Sequence, residues 1–69
     1  MKLTYGDREV EFGEILNLDQ IKEGFHIVDT KNLYRVNSSG ELIQLEKDTW
    51  TKHLKEGDRV EAISEFSLG

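Results

Sequence analysis

Two histidines, four serines, six aromatic rings and a surplus of carboxylates are the residues through which this chain could do chemistry. His26 and His53 stand 27 positions apart, and neither has a second histidine or a cysteine at ligand spacing. A zinc or copper site needs three or four such donors drawn together, so neither imidazole reads as a metal ligand. His26 alternates with core candidates and reads as a partly buried or strand-face histidine. Ser38, Ser39, Ser64 and Ser67 sit in a turn, a strand and the terminal residues, with no strand–turn–helix elbow and no base beside them. The absence of cysteine removes thiolate catalysis, disulfides, zinc ribbons and iron–sulfur clusters. The six glycines are dispersed as turn and cap residues, so no phosphate-cradling loop is present. Asn37-Ser38-Ser39 matches a glycosylation sequon but reads as a turn. These residues predict neither an enzyme nor a cofactor.

What remains is recognition. Tyr34, Trp50 and Phe66 are the aromatic candidates for a partner-binding surface, because rings of this kind dominate interface energetics. Glu61 and Glu65 are the charged candidates, on a strand where their carboxylates could steer docking. Trp50, between a cap and a helical turn, reads first as a core lid and second as an interface anchor. The acidic residues Glu9, Glu11, Glu14, Glu56, Asp58, Glu61 and Glu65 admit two accounts. They form either a solvated face that blunts strand edges or a surface that occupies a basic groove on a partner.

The elements that must position these residues are mostly strands. Leu3 and Tyr5 alternate with Lys2 and Thr4, and Val10 and Phe12 with Glu9 and Glu11, which predicts a hairpin. Gly6-Asp7 between the arms suits a type II′ turn. Asn17 with Gln20 three residues later forms a capping pair, and Ile15, Leu18 and Ile21 share a face, so a short helix is expected over 18–23 with Gly24 as its stop. Phe25–Val28, Leu33–Val36 and Leu42–Leu45 read as short strands separated by turn chemistry. A helical turn follows, with Asp48 as cap, Trp50 and Leu54 on one face and Gly57 as stop. In the last strand Val60, Ala62, Ser64 and Phe66 lie on one side and Arg59, Glu61, Ile63 and Glu65 on the other.

The 69 residues hold one domain, 1–69, and Leu, Ile, Val and Phe supply 20 of them, enough for a small core. A net charge of −5 repels phosphate backbones, so a nucleic-acid partner is not expected. No apolar run reaches transmembrane length, and Met1-Lys2-Leu3-Thr4 opens no signal-peptide core, so a cytoplasmic protein with no membrane partner is expected.

From Trp50 onward a pattern accumulates. Trp50-Thr51-Lys52-His53-Leu54-Lys55-Glu56-Gly57-Asp58-Arg59-Val60-Glu61 resembles the closing segment of the ThiS/MoaD family, the small sulfur carriers of thiamine and molybdenum-cofactor synthesis. The opening Met1-Lys2-Leu3-Thr4 with its turn before Glu9-Val10-Glu11-Phe12, and the run Val36-Asn37 to Gly40-Glu41-Leu42-Ile43, are similar to that family as well. The resemblance implies an α+β fold, a small ubiquitin-like β-grasp with a mixed sheet and one short helix. It also implies docking on an adenylating enzyme or a synthase, and a carrier terminus at Gly69. Leu68 stands where the family has a second glycine, in a tail that must thread a narrow site. The expected function is therefore a non-catalytic, sulfur-carrier-like module that docks on a partner protein through its sheet face. The alternatives are a working carrier through the Gly69 carboxylate, and a small all-β barrel whose acidic face fills a basic groove. The oligomeric state is open, because a sheet this small exposes its edges.

Overall fold

The computed structural model describes residues 1–64. Seven elements follow one another: β1 (Lys2–Tyr5), β2 (Arg8–Glu11), α1 (Leu18–Phe25), β3 (Lys31–Val36), β4 (Leu42–Gln44), α2 (Trp50–His53) and β5 (Arg59–Ser64). The N-terminal hairpin forms as its alternation predicts, pairing Leu3 with Val10 and Thr4 with Glu9. Positive φ at its turn falls on Gly6 (62°) and not on Asp7, which is the type II′ requirement.

The five strands make one mixed sheet in the order β2-β1-β5-β3-β4. β1 and β5 run parallel in the middle, and every other neighbour pair is antiparallel. The sheet is open, with β2 and β4 as its edges, and helices pack on one face. The chain is therefore α+β, and the all-β barrel is set aside.

The core is the layer between that face and the helices. Leu3, Leu33 and Val60 from the strands meet Ile21 and Phe25 from α1, with Leu45, Trp50 and Leu54 closing the far end. Tyr5, Val10 and Ala62 point the same way and pack against this cluster.

α1 begins as expected. The Asn17 side chain accepts the Gln20 N–H at 3.2 Å, and Gln20 returns through Oε1 to the Leu16 N–H and through Nε2 to the Glu14 carbonyl. It ends later than expected. Gly24 lies inside the helix and Phe25, 1% exposed, is its last residue, so the strand expected over 25–28 does not form. The reason is packing rather than propensity. A Cβ on Gly24 would lie 2.7 Å from Cζ of Phe12, so the glycine lets the ring of Phe12 lie against the helix. His26, not Gly24, takes the left-handed conformation that stops the helix (φ 60°, ψ 39°). Its N–H reaches the Glu23 carbonyl and the Ile27 N–H reaches that of Lys22, the Schellman pattern. His26 is thus an exposed cap, not a strand-face residue.

The second helical turn is capped by Thr49 rather than Asp48, and without a side-chain bond. Gly57-Asp58 then returns the chain to the sheet. Gly57 has φ 84°, and Oδ2 of Asp58 accepts the Lys55 N–H at 2.7 Å. The turn docks on β1: the Gly57 N–H donates to the Lys2 carbonyl at 2.7 Å and the Thr4 N–H to the Asp58 carbonyl at 3.0 Å. Nε of Arg35 lies 3.1 Å from the same Asp58 oxygen, off-axis for a hydrogen bond, which ties β3 to the turn.

Candidate interaction face

The face of the sheet opposite the helices carries no covering element among the described residues. Strand alternation decides who stands on it. Since Leu33, Val60 and Ala62 face the core, Asn32, Tyr34 and Val36 of β3 and Arg59, Glu61 and Ile63 of β5 face the open side. Leu42 and Gln44 of β4 join them, as do Lys2 and Thr4 of β1 and Glu9 and Glu11 of β2.

The register makes these residues into a patch. Tyr34 lies directly between Glu61 on β5 and Gln44 on β4. Val36 lies between Arg59 and Leu42, and Ile63 opposes Asn32, diagonal to Tyr34. Tyr34, Val36 and Ile63 are half-buried, and Leu42 is 43% exposed. Directly opposed side chains sit about 5 Å apart and diagonal ones about 7–8 Å, so the four apolar groups form one contiguous surface. Arg59 and Glu61 lie at its side, 3.9 Å from one another and both substantially exposed. The patch thus combines an apolar surface with one cation and one carboxylate at its side.

Across β1 and β2 the open face is more polar. Glu9 faces Lys2 at 3.8 Å, and Glu11 sits 2.8 Å from the amino group of Met1. The hydrogen bond from that ammonium, with its charge, holds the Glu11 carboxyl below its ordinary range despite partial desolvation. The same bond, together with the charges of Glu11 and Glu56, raises the amine.

Of the residues singled out in the sequence, Tyr34 and Glu61 meet as direct cross-strand neighbours on this face. Trp50 is 7% exposed and belongs to the core on the helix side. Its indole also walls an open cavity of about 240 Å³ with Met1, Gly13, Ile15, Thr51 and Leu54. Glu65, Phe66, Leu68 and Gly69 lie outside the described residues. Sequence reasoning missed Val36, Leu42 and Ile63 as members of the patch. Their signal was present: Ile63 falls on the polar parity of its strand, between Glu61 and Glu65.

Among the described residues no cluster of three or more histidine, cysteine, aspartate or glutamate side chains could hold a metal ion. No helix among them is long and apolar enough to cross a membrane. No family model, no curated protein and no solved structure gives a significant match to this chain.

Proposed function

We propose that this chain is a β-grasp module, like the sulfur carriers in shape, that works by docking on a partner protein through the open face of β3, β4 and β5. The strand order β2-β1-β5-β3-β4, with parallel central strands and α1 crossing between β2 and β3, supports the fold half of this reading. The observation that carries the docking half is the patch of Tyr34, Val36, Leu42 and Ile63 on a sheet face that no element among the described residues covers. A face of this kind costs solvation when free and gains when a partner shields it. The net charge of −5 selects a partner with a basic rim, with Glu61 the carboxylate nearest the centre of the patch. Sulfur transfer would need the Gly69 carboxylate and draws no support from the sheet.

The test is comparative capture from native extract with three immobilised proteins: the wild type, Tyr34→Ala with Glu61→Lys, and Leu16→Ser. Leu16 is 71% exposed, lies in the β2–α1 connection away from the open face, and serves as the control. Proteins retained by the wild type and by Leu16→Ser, but lost from the face variant, bear the reading out. Identical capture by all three overturns it.

A further inference from the structure

The connection between β3 and β4, Asn37-Ser38-Ser39-Gly40, holds an asparagine side chain in an unusual setting. Oδ1 of Asn37 accepts three hydrogen bonds: from the Ser39 N–H at 3.0 Å, the Glu41 N–H at 2.9 Å and the Ser39 hydroxyl at 2.8 Å. Backbone N–H groups only donate, so the atom they meet is the carbonyl oxygen of the side chain. The backbone amides of Asn37, Ser39, Gly40 and Glu41 all donate within this loop. The Ser38 N–H has no acceptor among the described residues, and Ser38 is exposed.

These are the parts of an acyl transfer. An asparagine side chain loses ammonia when the deprotonated amide nitrogen of the next residue attacks its carbonyl carbon. Negative charge then develops on the carbonyl oxygen. At Asn37 that oxygen already lies 2.8–3.0 Å from three donors, the distance at which an oxyanion is stabilised. The attacking atom is the nitrogen of Ser38, the amide in the loop that no hydrogen bond withholds. The bond from the Ser39 N–H closes an Asx turn around the Asn37–Ser38 peptide link, which keeps the side-chain carbon beside that nitrogen.

The other two asparagines lack this combination. Oδ1 of Asn17 accepts only the Gln20 N–H, at the start of α1. Asn32 lies within β3, paired with Ile63 of β5. In both the attacking nitrogen would belong to a leucine, whose branched side chain crowds the approach.

We propose that Asn37 is a self-modifying site, where the loop itself promotes loss of the side-chain amide. The Ser38 nitrogen gives its proton to hydroxide and bonds to Cγ of Asn37. The Cγ–Nδ2 bond breaks, and ammonia leaves with a proton from water, which closes a succinimide ring. Water then opens the ring. Attack at Cγ yields an aspartate at position 37, and attack at the backbone carbonyl yields an isoaspartate. Either product adds one negative charge to a chain of −5, directly after Val36 of the open-face patch. In the aspartate form the same donors meet a carboxylate, which they hold more strongly than an amide. The step needs only the loop and water, so it stands whether or not the open face docks a partner.

The experiment is incubation of the full chain in mildly alkaline buffer, followed by tryptic mass mapping. Trypsin places the three asparagines in separate peptides, 9–22, 32–35 and 36–47, so each reports for itself. In the folded chain Asn37 should convert about tenfold or more faster than Asn17 or Asn32. It should also convert faster than in the same chain held in urea, where the donors are dispersed. Ser39→Ala removes the hydroxyl donor and keeps both N–H donors. It should slow the folded-state conversion about tenfold, less than the roughly hundredfold of an enclosed oxyanion donor because the loop is open to water, and leave the rate in urea nearly unchanged. Circular dichroism checks that the variant folds. A rate at Asn37 in urea equal to or above the folded rate overturns the proposal, and that comparison needs no variant. A folded Ser39→Ala protein that converts as fast as the wild type overturns it as well.

Discussion

Replacing Gly24 by alanine tests whether α1 is placed by local preference or by the ring of Phe12. Alanine is favoured over glycine within a helix by about 1 kcal/mol, so propensity alone predicts a more stable protein. The structure predicts the reverse. The new methyl would overlap Cε1 of Phe12 and sit 2.7 Å from its Cζ, where carbon atoms prefer about 3.5–4.0 Å, so the ring must retreat by more than about 1 Å. It has little room. Phe12 stands edge-on to Phe25 with ring centroids 5.4 Å apart, and Phe25 is itself 1% exposed and packed on Tyr5 at 5.5 Å. Overpacking of this kind costs about 1–3 kcal/mol, which outweighs the gain and leaves a net loss near 1 kcal/mol. For a domain of this size that lowers Tm by roughly 4–8 °C. The assay is urea unfolding followed by the fluorescence of Trp50, the single tryptophan. In a Phe12→Leu background the ring is gone, and Gly24→Ala should become neutral or stabilising by up to about 1 kcal/mol. The two backgrounds should therefore differ by about 2 kcal/mol in their response, a coupling that only neighbours show. If Gly24→Ala stabilises the wild-type background, or acts equally in both, the packing argument is refuted.

Other perturbations have defined outcomes. His26→Gly removes a left-handed non-glycine residue (φ 60°) and should stabilise by about 0.5–1 kcal/mol, with His26→Asn between and His26→Val destabilising, all by thermal melts. Asp58→Ala deletes both the Lys55 N–H acceptor and the Arg35 partner and should cost about 1–3 kcal/mol in urea, whereas Asp58→Asn keeps the acceptor and should cost less. The Met1 amine, raised by its hydrogen bond to Glu11, contributes stability below its ordinary value of 8.0 and loses it as pH climbs through the raised value. Glu11, lowered by the same bond, contributes above its ordinary 4.5 and loses it as pH falls through the lowered value. Glu11→Gln should therefore move the urea midpoint most between the two ordinary values, 4.5 and 8.0, with the difference shrinking as pH falls through the lowered carboxyl value or climbs through the raised amine value; a constant difference would count against the pairing.

Where the residues speak locally, the chain is legible. The N-terminal hairpin follows from strict alternation and from a glycine in the turn position that needs positive φ. The start of α1 follows from Asn17 and Gln20, and the Gly57-Asp58 turn from a positive-φ residue beside a side chain that caps its own backbone. Where distant residues decide, it is not. Gly24 looks like a stop because glycine usually is one; only the arrival of Phe12, the residue after β2, makes it a helix residue and passes the stop to His26. Asp48 is the better cap by type, yet Thr49 takes the position once Trp50 is drawn into the core. The patch was half legible. Tyr34 and Glu61 were singled out separately, and their meeting depends on a β3–β5 register that no short window contains. Ile63 and Leu42 were readable as apolar residues on the polar parity, but alternation alone does not tell which strands flank them.

The docking account is tested most directly by photo-crosslinking in native extract, with a benzophenone amino acid at position 34 in one protein and at position 16 in another. The account predicts discrete adducts with one or a few proteins from position 34, abolished by Leu42→Asp on the same face, and none of these adducts from position 16. Adducts that form equally from both positions, or that survive Leu42→Asp undiminished, would contradict it.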